Sequence, residues 1–228
     1  MQEILEMITL QQELNDATNG QGWENGLTKN EKIINWKRCI YMESAELIDS
    51  FAWKHWKAID KKADWANIRI EIVDIWHFVM SQLLQEFKLE DKGDLNTLAQ
   101  HIISQEKYEM FSNLTYRPEA DMHEVILMVE ALMYDVLKPE LFDLDAFIND
   151  FFTLSVFCGV NLETMYQLYI GKNILNRFRQ DNGYKEGTYI KEWNGEEDNV
   201  VMQRLMKNSP QITTQRLYDE LKEVYSSL

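Results

Sequence analysis

The stretch IRIEIVDIWHF, residues 68–78, places two carboxylates inside an almost wholly apolar run. Glu71 and Asp74 are spaced i, i+3, so on a helix they lie on nearly the same face, one turn apart. An acid embedded in this way rarely serves solubility alone, because burying an unpaired charge is costly. The stretch therefore predicts a buried helix that carries a polar function.

A second pair of acids with the same spacing, Glu43 and Glu46, lies upstream. The chain predicts long helices over residues 30–58 and 65–88, joined by the polar connection AIDKKAD at 58–64, with Asp64 as the candidate N-cap of the second helix. A connection this short makes the two helices antiparallel neighbours. The four carboxylates are then expected to converge.

Converging carboxylates would repel one another and take up protons unless a cation neutralised them. Oxygen ligands without cysteine suit Mg²⁺ or Mn²⁺ rather than zinc. Two alternatives stay open: the acids are exposed and merely solvate the helix backs, or they hold two irons. Di-iron bundles use Glu-x-x-His on each of two helices. His77 follows Asp74 by three residues, but no matching histidine follows an acid in the other helix, which favours a hard cation and phosphate chemistry.

Composition indicates an all-α fold, with a helical bundle core and an inserted mobile helical lobe. The 228 residues are 45% hydrophobic, with only three prolines and nine glycines to interrupt helices. We expect one domain over 1–228, with a rigid core at about 1–88 and 158–228 and a variable lobe at about 89–157. Further helices are predicted over residues 2–17, 92–113, 119–137, 140–158, 161–181, 200–207 and 213–226.

Charge and cysteine content restrict the possible partners and location. A net charge of −15 argues against direct binding to nucleic acid or to anionic membranes. No apolar run reaches the length of about 18 residues that a membrane span needs, and the acidic start lacks the basic segment of a signal peptide. Cys39 and Cys158 lie in apolar contexts and are expected to be free thiols in a reducing cytoplasm.

Residues 172–191 are basic against this acidic background. Lys172, Asn176 and Arg179 are spaced i, i+4, i+7 and form one helical stripe. The glycines of GYKEGTY, residues 183–189, let backbone amides approach a ligand. The segment is therefore a candidate polyphosphate site, although cations at a helix end also offset the helix dipole.

Several stretches, in this order, resemble the motifs of the dimeric all-α dUTPases of the campylobacter, kinetoplastid and phage type. They are LQQELND at 10–16, MESAELIDSFAWKHWK at 42–57, NIRIEIVDIWHF at 67–78 and GKNILNRFRQDNGYKEGTYIKEWNGEEDN at 171–199. The resemblance spans most of the chain, whereas residues 89–157 match no motif.

The resemblance implies hydrolysis of dUTP, and of dUDP, to dUMP in a homodimer. It implies two or more Mg²⁺ ions, replaceable by Mn²⁺, held by Glu43, Glu46, Glu71 and Asp74. Glu46 would also activate the water that attacks the β-phosphorus. The alternatives are a related pyrophosphatase with another base preference, such as dCTP, and a non-catalytic helical regulator.

The resemblance also implies a nucleotide pocket. Gln11 and Asn15 would face the uracil edge, which needs the donors and acceptors that amides carry. Trp56 would wall the base pocket, and Phe78 would pack under the deoxyribose. Asn176 would lie near the nucleoside, and the phosphates would be held by Lys57, Lys172, Arg179, Tyr184, Lys185 and Lys191. Asp198 or Asn199 is expected to cap the helix that follows.

Overall fold

A computed structural model describes residues 1–57, 62–113, 121–138, 142–209 and 213–228. The fold is all-α, as predicted, with one small antiparallel hairpin in the described residues. The helices are α1 Gln2–Asn19, α2 Trp36–Asp49, α3 Trp65–Leu89, α4 Leu95–Ile103, α5 Tyr108–Asn113, α6 Met122–Leu137, α7 Leu144–Phe157, α8 Leu162–Asp181, α9 Asp198–Asn208 and α10 Thr214–Tyr225. The hairpin consists of β1 Glu192–Trp193 and β2 Glu196–Glu197.

Side-chain caps mark where α2 and α3 begin. Asp64 caps α3, as the sequence predicts, by accepting a hydrogen bond from the backbone N–H of Asn67 (3.0 Å). The predicted helix over 30–58 is too long at both ends, because Asn35 caps α2 and the helix ends at Asp49. The predicted ends at 58, 119 and 140 lie outside the described residues.

The single helix predicted over 92–113 is wrong, because α4 and α5 replace it. The break occurs where a side chain of α7 accepts a hydrogen bond from a backbone N–H of this segment. Asn149 Oδ1 accepts the backbone N–H of Lys107 (2.8 Å), which a continuous helix would bond to the carbonyl four residues earlier. Asn149 Nδ2 also donates to Gln105 Oε1 (2.8 Å). A long-range side chain therefore ends one helix and starts the next.

The chain divides into two compact units, Met1–Met165 and Tyr166–Leu228. In the first unit α3 is the central helix, with residues such as Ile72 and Trp76 fully buried. Helices α2 and α3 are antiparallel neighbours, as predicted. The backbone N–H of Asp64 donates to Ser50 O (2.9 Å) at one end of the pair. At the other end, the rings of Trp36 and Phe78 stack.

In the second unit, aromatic rings pack around Phe178 of α8. They come from the β1–β2 hairpin, from the loop before it and from α10, and they are Tyr189, Trp193, Tyr218 and Tyr225. Asn194 and Gly195 both have positive φ, 52° and 87°, as the tight turn of a hairpin requires. In the described part of the chain, no helix combines the length and the hydropathy needed to cross a membrane.

Candidate active site

Three carboxylates from α2 and α3 meet in the first unit. Oxygen atoms of Glu43, Glu46 and Glu71 all lie within 4.8 Å of one another. Glu71 is only 7% exposed, Glu43 is half-buried and Glu46 is exposed. Burial, and then the negative charge of Glu43, raise the pKa of the neighbouring Cys39 thiol. The site therefore runs from a buried acid to a solvent-facing one.

Asn67 holds the buried acid in place. Its Nδ2 donates to Glu71 Oε1 (2.9 Å) and to Ser50 Oγ (2.8 Å). Ser50 Oγ in turn donates to the backbone carbonyl of Glu46 (3.1 Å). The end of α2 and the second turn of α3 are thus linked through one amide, and the Glu71 carboxylate is fixed before any ligand arrives.

Asp74, the fourth predicted ligand, follows Glu71 by one turn of α3 and is half-buried. It is not one of the three acids whose oxygens cluster. Its role as a ligand stays a prediction. Asp49, one turn beyond Glu46, forms an ion pair with Lys54.

The donor set suits a divalent cation. Each of the three residues offers one carboxylate oxygen, and a hard ion such as Mg²⁺ binds through a few carboxylates and completes its shell with water and substrate phosphates. Neighbouring negative charges also need a cation to offset their repulsion. The residues present therefore fit the metal that the acid spacing predicts.

A buried polar cluster joins α1 to α3 in the same unit. Gln11 and Asn15, predicted to face the uracil edge, are 3% and 4% exposed. Both reach Ser81 of α3, because Gln11 Nε2 and Asn15 Nδ2 each lie 3.0 Å from Ser81 Oγ. Gln11 Oε1 lies 2.6 Å from His77 Nδ1. The structure thus brings the two amides together and adds Ser81 and His77, whose part in this cluster the sequence did not reveal.

The predicted aromatic residues lie in two different settings. Phe78 is half-buried and stacks on Trp36, with ring centroids 6.1 Å apart and planes at 26°. Trp36 was not predicted as part of the pocket. Trp56 is 61% exposed and meets Trp53 edge to face at 5.3 Å. The following residue, Lys57, is also exposed.

The predicted basic stripe of α8 belongs to the second unit, and its residues share a face as their spacing predicts. Arg179 binds Asp198 through two hydrogen bonds, from Nε (2.8 Å) and Nη2 (2.7 Å). Its Nη1 donates to Asn176 Oδ1 (3.2 Å). Lys172 Nζ donates to Asn199 Oδ1 (2.8 Å). Lys172 and Arg179 are both buried, so much of the stripe holds α9 to α8.

The predicted helix cap at Asp198 or Asn199 is wrong. The N-cap of α9 is Glu197, whose side chain makes no capping bond, and Asp198 is the first residue of the helix. Asp198 is fully buried and pairs with Arg179, and it also accepts a hydrogen bond from the Tyr189 hydroxyl (2.8 Å). Burial and then the charge of Asp198 raise the pKa of Tyr189.

The remaining predicted phosphate ligands, Tyr184, Lys185 and Lys191, are exposed in the loop between α8 and β1. The Tyr184 ring lies under the Arg179 guanidinium, 5.8 Å from ring centroid to Cζ. Their contact with phosphate stays a prediction. An exposed, cation-bearing loop is nevertheless open to an anionic ligand.

Comparison with known families gives a match to a model described as dUTPase, over residues 3–184. The match covers well over half of the 228 residues and includes the acidic cluster and the buried amides. A comparison with curated proteins finds no match. The chain therefore belongs to the all-α dUTPase family and is a dUTP diphosphatase.

Proposed function

We propose that the enzyme hydrolyses dUTP and dUDP to dUMP with Mg²⁺ held at Glu43, Glu46 and Glu71. The observation that carries this proposal is the approach of three carboxylates from two helices to within 4.8 Å of one another. Asp74 is the proposed fourth ligand, placed one helical turn from Glu71. We expect two or more ions per site, with Mn²⁺ as a substitute.

A bound divalent cation would withdraw charge from the phosphate oxygens and lower the pKa of a coordinated water. Glu46 is the proposed general base, because it is the exposed member of the cluster and can reach a water and release a proton to solvent. Asn67 keeps Glu71 in a fixed position, so that the buried carboxylate is already oriented when the substrate binds.

The nucleoside is proposed to bind beside this cluster. Glu71, His77 and Ser81 all belong to α3, so one helix carries an acid of the cluster and both residues of α3 that contact the buried amides. Gln11 and Asn15 would read the uracil edge, and Phe78 would pack against the deoxyribose. Trp56 is proposed as a wall of the base pocket. Its indole is exposed, so it is free to pack against a bound base.

The cations proposed for phosphate binding are Lys57, Lys172, Arg179, Lys185 and Lys191. Lys172 and Arg179 already bind Asn199 and Asp198 in buried contacts, so a phosphate would have to bind beside these partners or replace them. The exposed lysines are the simpler candidates. Tyr184 and Asn176 complete the proposed set of nucleotide contacts.

We further propose a homodimer in a reducing cytoplasm. Exposed apolar residues of α6, Leu127 at 51% and Tyr134 at 65%, are spaced i, i+7 and so lie on one face, which supports a contact with a second chain. The two cysteines are free thiols, which supports a reducing compartment. Light scattering of the purified chain tests the dimer directly, since a monomeric mass would refute it.

The test of the proposed reaction is pyrophosphate release from dUTP, dCTP and dTTP, with and without Mg²⁺. We expect dUTP to be hydrolysed much faster than dCTP or dTTP, and no turnover after chelation of the metal. Glu46→Gln should lower kcat by at least about a hundredfold, because it removes a general base and a metal ligand together. Glu223→Gln, at an exposed glutamate of α10, is the matched control and should leave kcat unchanged. Equal rates on the three nucleotides, or full activity of Glu46→Gln, would refute the proposal.

A further inference from the structure

The single proton of the Ser81 hydroxyl has one short acceptor. Ser81 is fully buried in α3, and its Oγ donates to the backbone carbonyl of His77, one turn earlier, over 2.9 Å, whereas the other acceptor within reach, Asn15 Oδ1, lies 3.4 Å away. A serine inside a helix commonly forms this bond to the carbonyl four residues before it. With its one proton on the shorter of these two bonds, the Ser81 hydroxyl accepts bonds from its other neighbours through its two lone pairs.

Those neighbours are the two amides of α1. Gln11 Nε2 and Asn15 Nδ2 each lie 3.0 Å from Ser81 Oγ, so two N–H donors saturate its two lone pairs. If either amide were flipped, its carbonyl oxygen would lie beside a hydroxyl oxygen with no proton left to donate. Two buried acceptors that face each other without a proton between them have lost their hydrogen bonds to water and gain none in return, which lowers the stability of the folded state. Ser81 therefore sets the orientation of both amides.

The orientation of Gln11 then sets the proton on His77. With Nε2 turned toward Ser81 and toward Asn15 Oδ1 (3.1 Å), Gln11 Oε1 lies 2.6 Å from His77 Nδ1. A carbonyl oxygen can only accept, so His77 Nδ1 must carry a proton. The α3 backbone thus orients the Ser81 hydroxyl, Ser81 orients the two amides, and Gln11 determines which imidazole nitrogen of His77 is protonated.

We propose that Ser81 is a positioning residue for base selection, which discriminates uracil from cytosine by fixing which way the Gln11 and Asn15 amides point. This inference rests on the proposed function, in which those amides read the uracil edge. Uracil presents an N3–H donor between two carbonyl acceptors, whereas cytosine presents an unprotonated N3 and an amino group. A flipped amide would suit the wrong base, since donors and acceptors exchange places.

The kinetic test compares Ser81→Ala with Ser155→Ala. Ser155 is the matched control, because it is also fully buried in a helix and its Oγ donates to the carbonyl four residues earlier, that of Phe151 (2.8 Å). We expect Ser81→Ala to lower the ratio of kcat/KM for dUTP to that for dCTP about tenfold, as the loss of one buried hydrogen-bond partner does. The control should keep the wild-type ratio. An unchanged ratio in a folded Ser81→Ala enzyme would overturn the proposal.

A second measurement does not depend on activity. Nitrogen-15 NMR of the unliganded wild-type and Ser81→Ala enzymes reports which ring nitrogen of the neutral His77 imidazole holds the proton. The proposal requires the proton on Nδ1 in wild type and a weaker preference for Nδ1 in Ser81→Ala. A proton on Nε2 alone in wild type, or the same preference in both enzymes, would overturn it. If the enzyme showed no preference for dUTP over dCTP, the proposed base recognition would fail. The base-selection role of Ser81 would fail with it, whereas the NMR result would still decide whether Ser81 orients the amides.

Discussion

Replacing Asn67 by alanine should weaken both the fold and the metal site. The Asn67 amide donates to the Glu71 carboxylate (2.9 Å) and to Ser50 Oγ (2.8 Å), and so links α3 to the end of α2. Glu71 is nearly buried, so the lost donor is replaced by water only in part. The substitution therefore removes one bond to a charged group and one to a neutral group.

The magnitude follows from the two bonds. A hydrogen bond to a charged group contributes about 1.5–3 kcal/mol and a neutral one about 0.5–1.5 kcal/mol. Because Asn67 is only half-buried, we expect a loss of about 2 kcal/mol in the free energy of unfolding, or roughly 4–8 °C in Tm for a chain of this size. Losing a residue that orients a metal ligand typically lowers metal affinity about tenfold or more.

The assays are thermal unfolding without metal and calorimetric titration with Mg²⁺. Asn96→Ala is the matched control, since Asn96 also lies in the first turn of a helix capped by an aspartate but is exposed and makes only a long 3.5 Å contact with Asp94. The control should change Tm by less than about 2 °C, as surface substitutions usually do. Equal Tm values for the two variants, together with an unchanged Mg²⁺ affinity, would refute the reasoning.

Three further predictions concern the second unit. Asp198→Ala should cost about 3–5 kcal/mol in urea unfolding, because it leaves the buried Arg179 guanidinium without its carboxylate, and a cost below about 1 kcal/mol would contradict this. Tyr225→Phe should cost about 0.5–1.5 kcal/mol, since its hydroxyl accepts a backbone N–H before β1 (3.1 Å), and an unchanged urea midpoint would count against that bond. Burial and the hydrogen bond to Asp181 raise the pKa of Tyr218 from 10.0 to about 12. The stability that Tyr218 adds is therefore complete below pH 10 and lost as the pH rises to about 12, so the difference in stability between wild type and Tyr218→Phe should fall across that range.

Local signals predicted much of the fold. Asp64 before an apolar run predicted the start of α3, and the i, i+3 acids predicted which faces of α2 and α3 meet. One error occurs where a distant residue determines the structure. The break between α4 and α5 depends on Asn149, more than forty positions along the chain from the backbone N–H that it binds. No residue pattern within 92–113 indicates that contact.

The candidate site divides in the same way. Glu43, Glu46 and Glu71 were recognisable because charges in apolar runs at helical spacing are unusual. Ser81 gave no signal, since a serine inside a helix has no spacing partner and its role depends on α1, 66 or more positions away. The cap predicted at Asp198 was wrong because an acid before an apolar helix usually caps it. Here the carboxylate instead forms a buried ion pair with Arg179.

The most direct test of the metal site is a Mn²⁺ titration followed by electron paramagnetic resonance, in the presence of a non-hydrolysable dUTP analogue. Wild type and Glu71→Gln are compared, because Glu71 is the buried acid of the cluster. If the three carboxylates hold the metal, wild type binds Mn²⁺, Mg²⁺ displaces it, and Glu71→Gln binds at least about tenfold more weakly. Equal Mn²⁺ binding by the two proteins would contradict a metal site at this cluster.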